Sequence, residues 1–119
     1  MSPPPLLRTG LFAAACAAVA WLSLSPTDTL PQGLTFWDKA EHALAYLGLA
    51  LLGALAFPDR LGRLAVGLFI GGVWVEILQS TMGLGRQGDS YDALANSTGI
   101  AAGLLVAAGV RTLQRRRVR

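Results

Sequence analysis

Four long apolar segments are the feature that most constrains how this chain can fold. They run over Leu6–Ser25, Asp38–Phe57, Leu64–Met82 and Tyr91–Leu113, and turns rich in proline, glycine or charge separate them. Each approaches the roughly 20 residues that a helix needs to cross the hydrocarbon core of a bilayer. The sequence therefore predicts an all-α membrane protein, a compact bundle of four transmembrane helices.

The composition argues against a soluble protein. Hydrophobic residues make up 53% of the 119 residues and charged residues 14%, whereas soluble domains carry about 25% charged residues. The length predicts a single domain over residues 1–119. The one cysteine, Cys16, lies in an apolar segment and has no second cysteine with which to form an internal disulfide.

The first segment has two interpretations. Arg8, an apolar stretch and small residues at positions 17–20 also fit a secretory signal peptide. We favour a retained helix because the apolar stretch is long and Trp21 suits the membrane interface. Cleavage would leave the sidedness of the later loops unchanged.

The basic residues predict an orientation. Eight of the ten fall on one side of a four-span arrangement: Arg8, Arg60, Arg63 and the five arginines of the C-terminal segment RTLQRRRVR. Lys39 and Arg86 fall on the other side. Because basic loops stay in the cytoplasm, both termini are predicted to be cytoplasmic, with a basic tail over 114–119. For the basic tail, a position on the cytoplasmic side of the membrane is favoured over nucleic-acid binding.

Polar residues recur at one depth of the predicted bundle. Residues three or four apart share a helix face, so Asp38, His42 and Tyr46 form one stripe. Glu76 and Gln79 form a second, and Asp92 and Asn96 a third. Arg86 and Asp89 lie in the loop between the last two segments. Three helices and a loop thus direct polar groups toward the predicted extracytoplasmic end.

Glycines repeat at helical spacing in the last two segments. Gly67 and Gly71 are four residues apart, as are Gly99 and Gly103. Such pairs let membrane helices pack closely, so close approach is predicted at both.

The polar residues also resemble a known family. DKAEHALAYLGLA, the later EILQ and the stretch GRQGDSYDALANSTGIAAG are similar to the motifs of the VanZ-like family of small bacterial membrane proteins. The resemblance covers about residues 37–103. It implies a multi-span helical protein of the bacterial inner (cytoplasmic) membrane. The family's name-giving member is associated with teicoplanin resistance, and the resemblance implies no established biochemical activity.

The favoured hypothesis is a headgroup site for an anionic lipid or a polyprenyl-phosphate precursor of the cell envelope. The candidate catalytic residues are His42, Asp92 and Glu76, because histidine and carboxylates suit proton transfer near neutral pH. The candidate binding residues are Asp38, Lys39, Tyr46, Gln79, Arg86, Asp89 and Asn96. Lysine and arginine suit a phosphate group.

Other interpretations of the same residues remain open. A non-catalytic module could bind a lipid or a partner protein, or the polar contacts could only hold the helices together. A metal site is not favoured, because one histidine and scattered acids do not form a recognised ligand spacing. The sequence leaves open whether the protein uses a cofactor and whether it is an enzyme.

Overall fold

The structure is a computed structural model that describes residues 3–25, 38–81 and 90–119, with 38, 39 and 90 described by their backbone alone. The described residues form four α-helices: α1 (Pro5–Leu24), α2 (Asp38–Ala56), α3 (Leu61–Thr81) and α4 (Ser90–Val118). An all-helical fold is confirmed for these ranges. The helices agree with the predicted segments to within one residue at each end, except that α3 begins three residues earlier and α4 ends five residues later.

The helix ends follow from local chemistry. Proline occupies the first position of α1, where its missing N–H costs no hydrogen bond. After α2, Pro58 lies in a short turn in which the Arg60 amide donates to the Phe57 carbonyl at 3.1 Å. The C-terminal end of α4 continues through the arginines that were predicted to form a tail. Positive charge there complements the helix dipole.

Successive helices are antiparallel, and α2 is central. It packs against α1, α3 and α4. Four of the seven buried hydrophobic core residues come from α2, and the full set is Tyr46, Leu49, Ala50, Ala54, Leu64, Leu68 and Ile100. Phe12 of α1 meets Phe57 edge-to-face, with ring centroids 5.9 Å apart.

Glycine brings α4 against α2. A methyl group added at Gly99 would lie 2.9 Å from the Ala43 carbonyl carbon and 3.0 Å from the Leu47 amide nitrogen. At Gly103 it would lie 2.7 Å from the Ala50 methyl. The predicted close approach is therefore confirmed for this glycine pair.

The prediction is wrong for the other glycine pair. At Gly67 and Gly71 an added methyl would meet no described atom within 4 Å. These glycines lie on exposed surface of α3, because the buried face of that helix carries Leu64, Leu68 and Gly72 instead.

Three of the helices are long and apolar enough to cross a membrane: α1, α3 and residues 91–118 of α4. The apolar stretch of α2, Ala40–Ala56, is shorter, about 25 Å at 1.5 Å per residue. Many large apolar side chains are exposed, including Leu105 at 73% and Trp74 at 59%. Together these features indicate a multi-pass membrane protein whose outer surface faces lipid.

Candidate functional site

Five predicted site residues come together at one end of the bundle, where α2 and α4 begin and α3 ends. We call this group the polar cluster; it consists of His42, Tyr46, Glu76, Asp92 and Asn96. All but His42, which is half-buried, are buried. The periodicity of each helix explains the arrangement, since each residue continues the inward face of its own helix.

His42 links α2 to α4. Its Nδ1 lies 3.2 Å from the amide oxygen of Asn96. An amide oxygen only accepts hydrogen bonds, so this contact is a hydrogen bond in the tautomer that carries its ring hydrogen on Nδ1. The other ring nitrogen, Nε2, lies 3.9 Å from Asp92 Oδ2. The imidazole is thus oriented by an amide on one side and faces a carboxylate on the other.

Two buried carboxylates flank this imidazole. Glu76 is 8% exposed and Asp92 is 5% exposed. One ligand atom from each of His42, Glu76 and Asp92 lies within 4.8 Å of the other two. Carboxylates held this close to an imidazole could exchange protons with it or hold a cation. The sequence spacing, which did not favour a metal, could not show that these three atoms converge across three helices.

Gln79 has a different surrounding. Its Nε2 donates a 2.7 Å hydrogen bond to the carbonyl oxygen of Ser23 at the end of α1. Its Oε1 is buried and accepts no hydrogen bond from the described residues. The side chain therefore fastens α3 to α1, which is a structural contact that the sequence did not predict.

Gly72 sets the packing around Tyr46 and Asn96. A methyl group at Gly72 would lie 3.1 Å from the Tyr46 hydroxyl oxygen and 3.3 Å from the Asn96 amide nitrogen. The absence of a side chain at this position lets both polar groups approach α3. Helical spacing provides a signal, because Gly72 lies four residues before Glu76 on the same face.

Four predicted binding residues have side chains outside the part of the chain that the structure describes. The side chains of Asp38 and Lys39, and both Arg86 and Asp89, lie outside the described residues. The described part of the cluster consequently contains two carboxylates and one imidazole, without the two cations that the headgroup hypothesis requires.

Comparison of the chain with protein-family models, with curated proteins and with solved structures finds no match. The resemblance to the VanZ-like family stays a prediction from the sequence motifs.

Proposed function

We propose that this protein spans the bacterial cytoplasmic membrane four times, with both termini in the cytoplasm. Three helices satisfy the length and hydropathy of a span, and α2 supports the fourth because it packs against all three. The basic residues at one end of the helices support the orientation. A fluorescent protein fused after Arg119 should fluoresce, because the fusion folds in the cytoplasm. An active C-terminal alkaline phosphatase fusion would contradict this topology.

The polar cluster is the functional site in this proposal, and it binds the phosphate-bearing headgroup of a membrane lipid or a lipid-linked envelope precursor. The observation that carries this is the burial of Glu76, Asp92 and Asn96 beside His42 in an otherwise apolar bundle. Ionisable groups within a membrane bundle are costly and commonly functional. A typical interhelical polar contact stabilises a membrane protein by only about 0.6 kcal/mol. Such contacts alone would offset little of the cost of burying two carboxylates.

The proposed roles follow from chemical type. His42 transfers protons, with Asp92 facing its Nε2 and Asn96 fixing its ring. Lys39 and Arg86 hold the phosphate, since a point charge and a planar fork both suit that anion. Glu76 lies beside His42 and Asp92, and its carboxylate accepts a proton from a reacting group. Membership of the VanZ-like family and a link to teicoplanin resistance belong to this proposal, and teicoplanin susceptibility on expression tests that link.

The binding test is native mass spectrometry of the purified protein titrated with a polyprenyl phosphate. The parent should form a saturable one-lipid complex, and Arg86→Ala should weaken it. Asn96→Ala should also weaken the complex, because it removes the contact that orients the His42 ring. Thr98→Ala is the matched control on the same helix, because among the described residues its hydroxyl donates only to the Leu94 carbonyl. Equal affinity in all four proteins would overturn the headgroup site.

Catalysis is tested separately from binding. Lipid extracts from cells expressing the parent or His42→Ala are compared by mass spectrometry. A product that requires His42 identifies an enzyme. Saturable binding without a product identifies a binding module, and loss of thermal stability without loss of binding assigns the cluster to bundle packing.

A divalent cation is the second candidate ligand of the same cluster. The observation that favours it is the convergence of ligand atoms from His42, Glu76 and Asp92 within 4.8 Å. Elemental analysis of the purified protein, followed by Mn²⁺ and Zn²⁺ titration of the parent and of Glu76→Gln, provides the test. A metal that stabilises the parent and leaves Glu76→Gln unaffected supports this site.

A further inference from the structure

A groove lies at the opposite end of the bundle from the polar cluster. This groove of about 380 Å³ runs between α1 and α3, and Phe12, Phe57, Leu64 and Leu68 form much of its apolar lining. This volume is in the range of small-molecule sites, about 300–1,000 Å³.

Two arginines mark the open edge of this groove. Arg60 and Arg63 line it and are exposed. Gly67 follows Arg63 by one helical turn and also lines the groove. An added methyl at Gly67 would meet no described atom within 4 Å, so the groove stays open along this face of α3. A ligand in the groove would contact the charged Arg60 and Arg63 at one end and apolar surface one helical turn further along α3.

The acid nearest to these arginines in sequence has another partner. Asp59 accepts a hydrogen bond from Arg111 Nη2 at 2.5 Å, and Arg111 Nη1 donates to the Pro58 carbonyl. The other described acids, Glu41, Glu76 and Asp92, belong to the far end of the bundle. Arg60 and Arg63 therefore keep a net positive field at the groove.

A third cation, Arg8, is on α1, the helix that forms the other wall of the groove. Arg8 is one turn before Phe12, and residues four apart share a helix face. Its Nε is buried and donates to no acceptor among the described residues. A phosphate oxygen at the groove edge would give such a guanidinium a strong acceptor.

We propose that this groove binds one anionic glycerophospholipid, with its phosphate at Arg60 and Arg63 and one acyl chain beside Gly67. Charge complementarity and the order of the lining groups, cationic at the edge and apolar within, match the two parts of such a lipid. Basic pockets between membrane helices bind lipid headgroups in this way. The proposal is independent of the function assigned to the polar cluster.

The test is native mass spectrometry of the full chain titrated with dioleoyl-phosphatidylglycerol or dioleoyl-phosphatidylcholine. The parent should bind one phosphatidylglycerol tightly and phosphatidylcholine weakly. Each arginine near an anionic lipid contributes about fivefold in affinity, so Arg60→Gln with Arg63→Gln should weaken phosphatidylglycerol binding roughly 25-fold. Arg115→Gln with Arg116→Gln removes the same charge from exposed residues of α4 and should leave that binding unchanged.

A second variant tests the apolar part of the groove. Gly67→Leu should fill it and abolish the phosphatidylglycerol complex. Gly71→Leu, one turn further along α3 and equally open, should keep it. Three results would overturn the proposal. The two double arginine variants could lose phosphatidylglycerol affinity equally, the parent could bind the two lipids equally, or Gly67→Leu could keep full phosphatidylglycerol binding. His42→Ala should leave the complex intact, which separates this site from the polar cluster.

Discussion

Gly99→Ala should both destabilise the bundle and disturb the polar cluster. An added methyl would lie 2.9 Å from the Ala43 carbonyl carbon, whereas ordinary contact begins near 3.4 Å. The α2 and α4 backbones must therefore separate by at least 0.5 Å, the difference between these two distances. Because the obstacle is backbone, no side-chain rotation relieves it.

The magnitude follows from two opposing effects. Overpacking costs up to about 3 kcal/mol, and replacing glycine by alanine within a helix offsets about 1 kcal/mol of that, so the net loss is up to about 2 kcal/mol. His42 precedes Ala43 directly, and Asn96 lies one turn before Gly99. Their 3.2 Å contact should lengthen with the separation of the helices, and headgroup binding should weaken.

The assay is reversible unfolding in mixed micelles of increasing SDS fraction, followed by circular dichroism. Gly109→Ala is the matched control, because it makes the same change in α4 where no described atom lies within 4 Å. It should keep or gain up to about 1 kcal/mol of stability. Equal stability of Gly99→Ala and Gly109→Ala would refute the close helix approach on which the reasoning depends.

Three other substitutions are expected to have smaller effects in the same unfolding assay. Gln79→Leu removes the hydrogen bond from α3 to the end of α1 and should cost about 1 kcal/mol; no change would show that this bond adds nothing to stability. Arg111→Gln removes the pair with the largely exposed Asp59 and should cost below about 1 kcal/mol, less at high salt. Phe12→Leu removes the edge-to-face contact with Phe57 and should cost about 1 kcal/mol. If the stability cost of Arg111→Gln did not change with salt, this would contradict an exposed ion pair with Asp59. If Phe12→Leu were as stable as the parent, this would contradict the contact between the two rings.

Sequence reasoning located the helices because their signals are local. Apolar length and the proline after α2 define the segments without reference to any other part of the chain. It missed the first turn of α3 because Arg63 interrupts the apolar pattern there, although a helix continues where the charged side chain is exposed.

The candidate site was predictable as a set of faces. Four-residue spacing placed His42 with Tyr46, and Asp92 with Asn96, on single stripes. Spacing could not pair residues of different helices, so the His42–Asn96 contact and the bond from Gln79 to the Ser23 carbonyl came from packing. Both depend on helix order and rotation, which no single segment encodes.

The sequence by itself determined that this chain forms apolar helices with polar groups gathered toward one end, because length, hydropathy and periodicity act within each segment. Tertiary structure alone decided which glycine pair is a helix interface. Gly99 and Gly103 meet α2, whereas Gly67 and Gly71 are open, although the spacing within each pair is identical. A small residue permits close approach, but a second helix must be placed against it for the approach to occur.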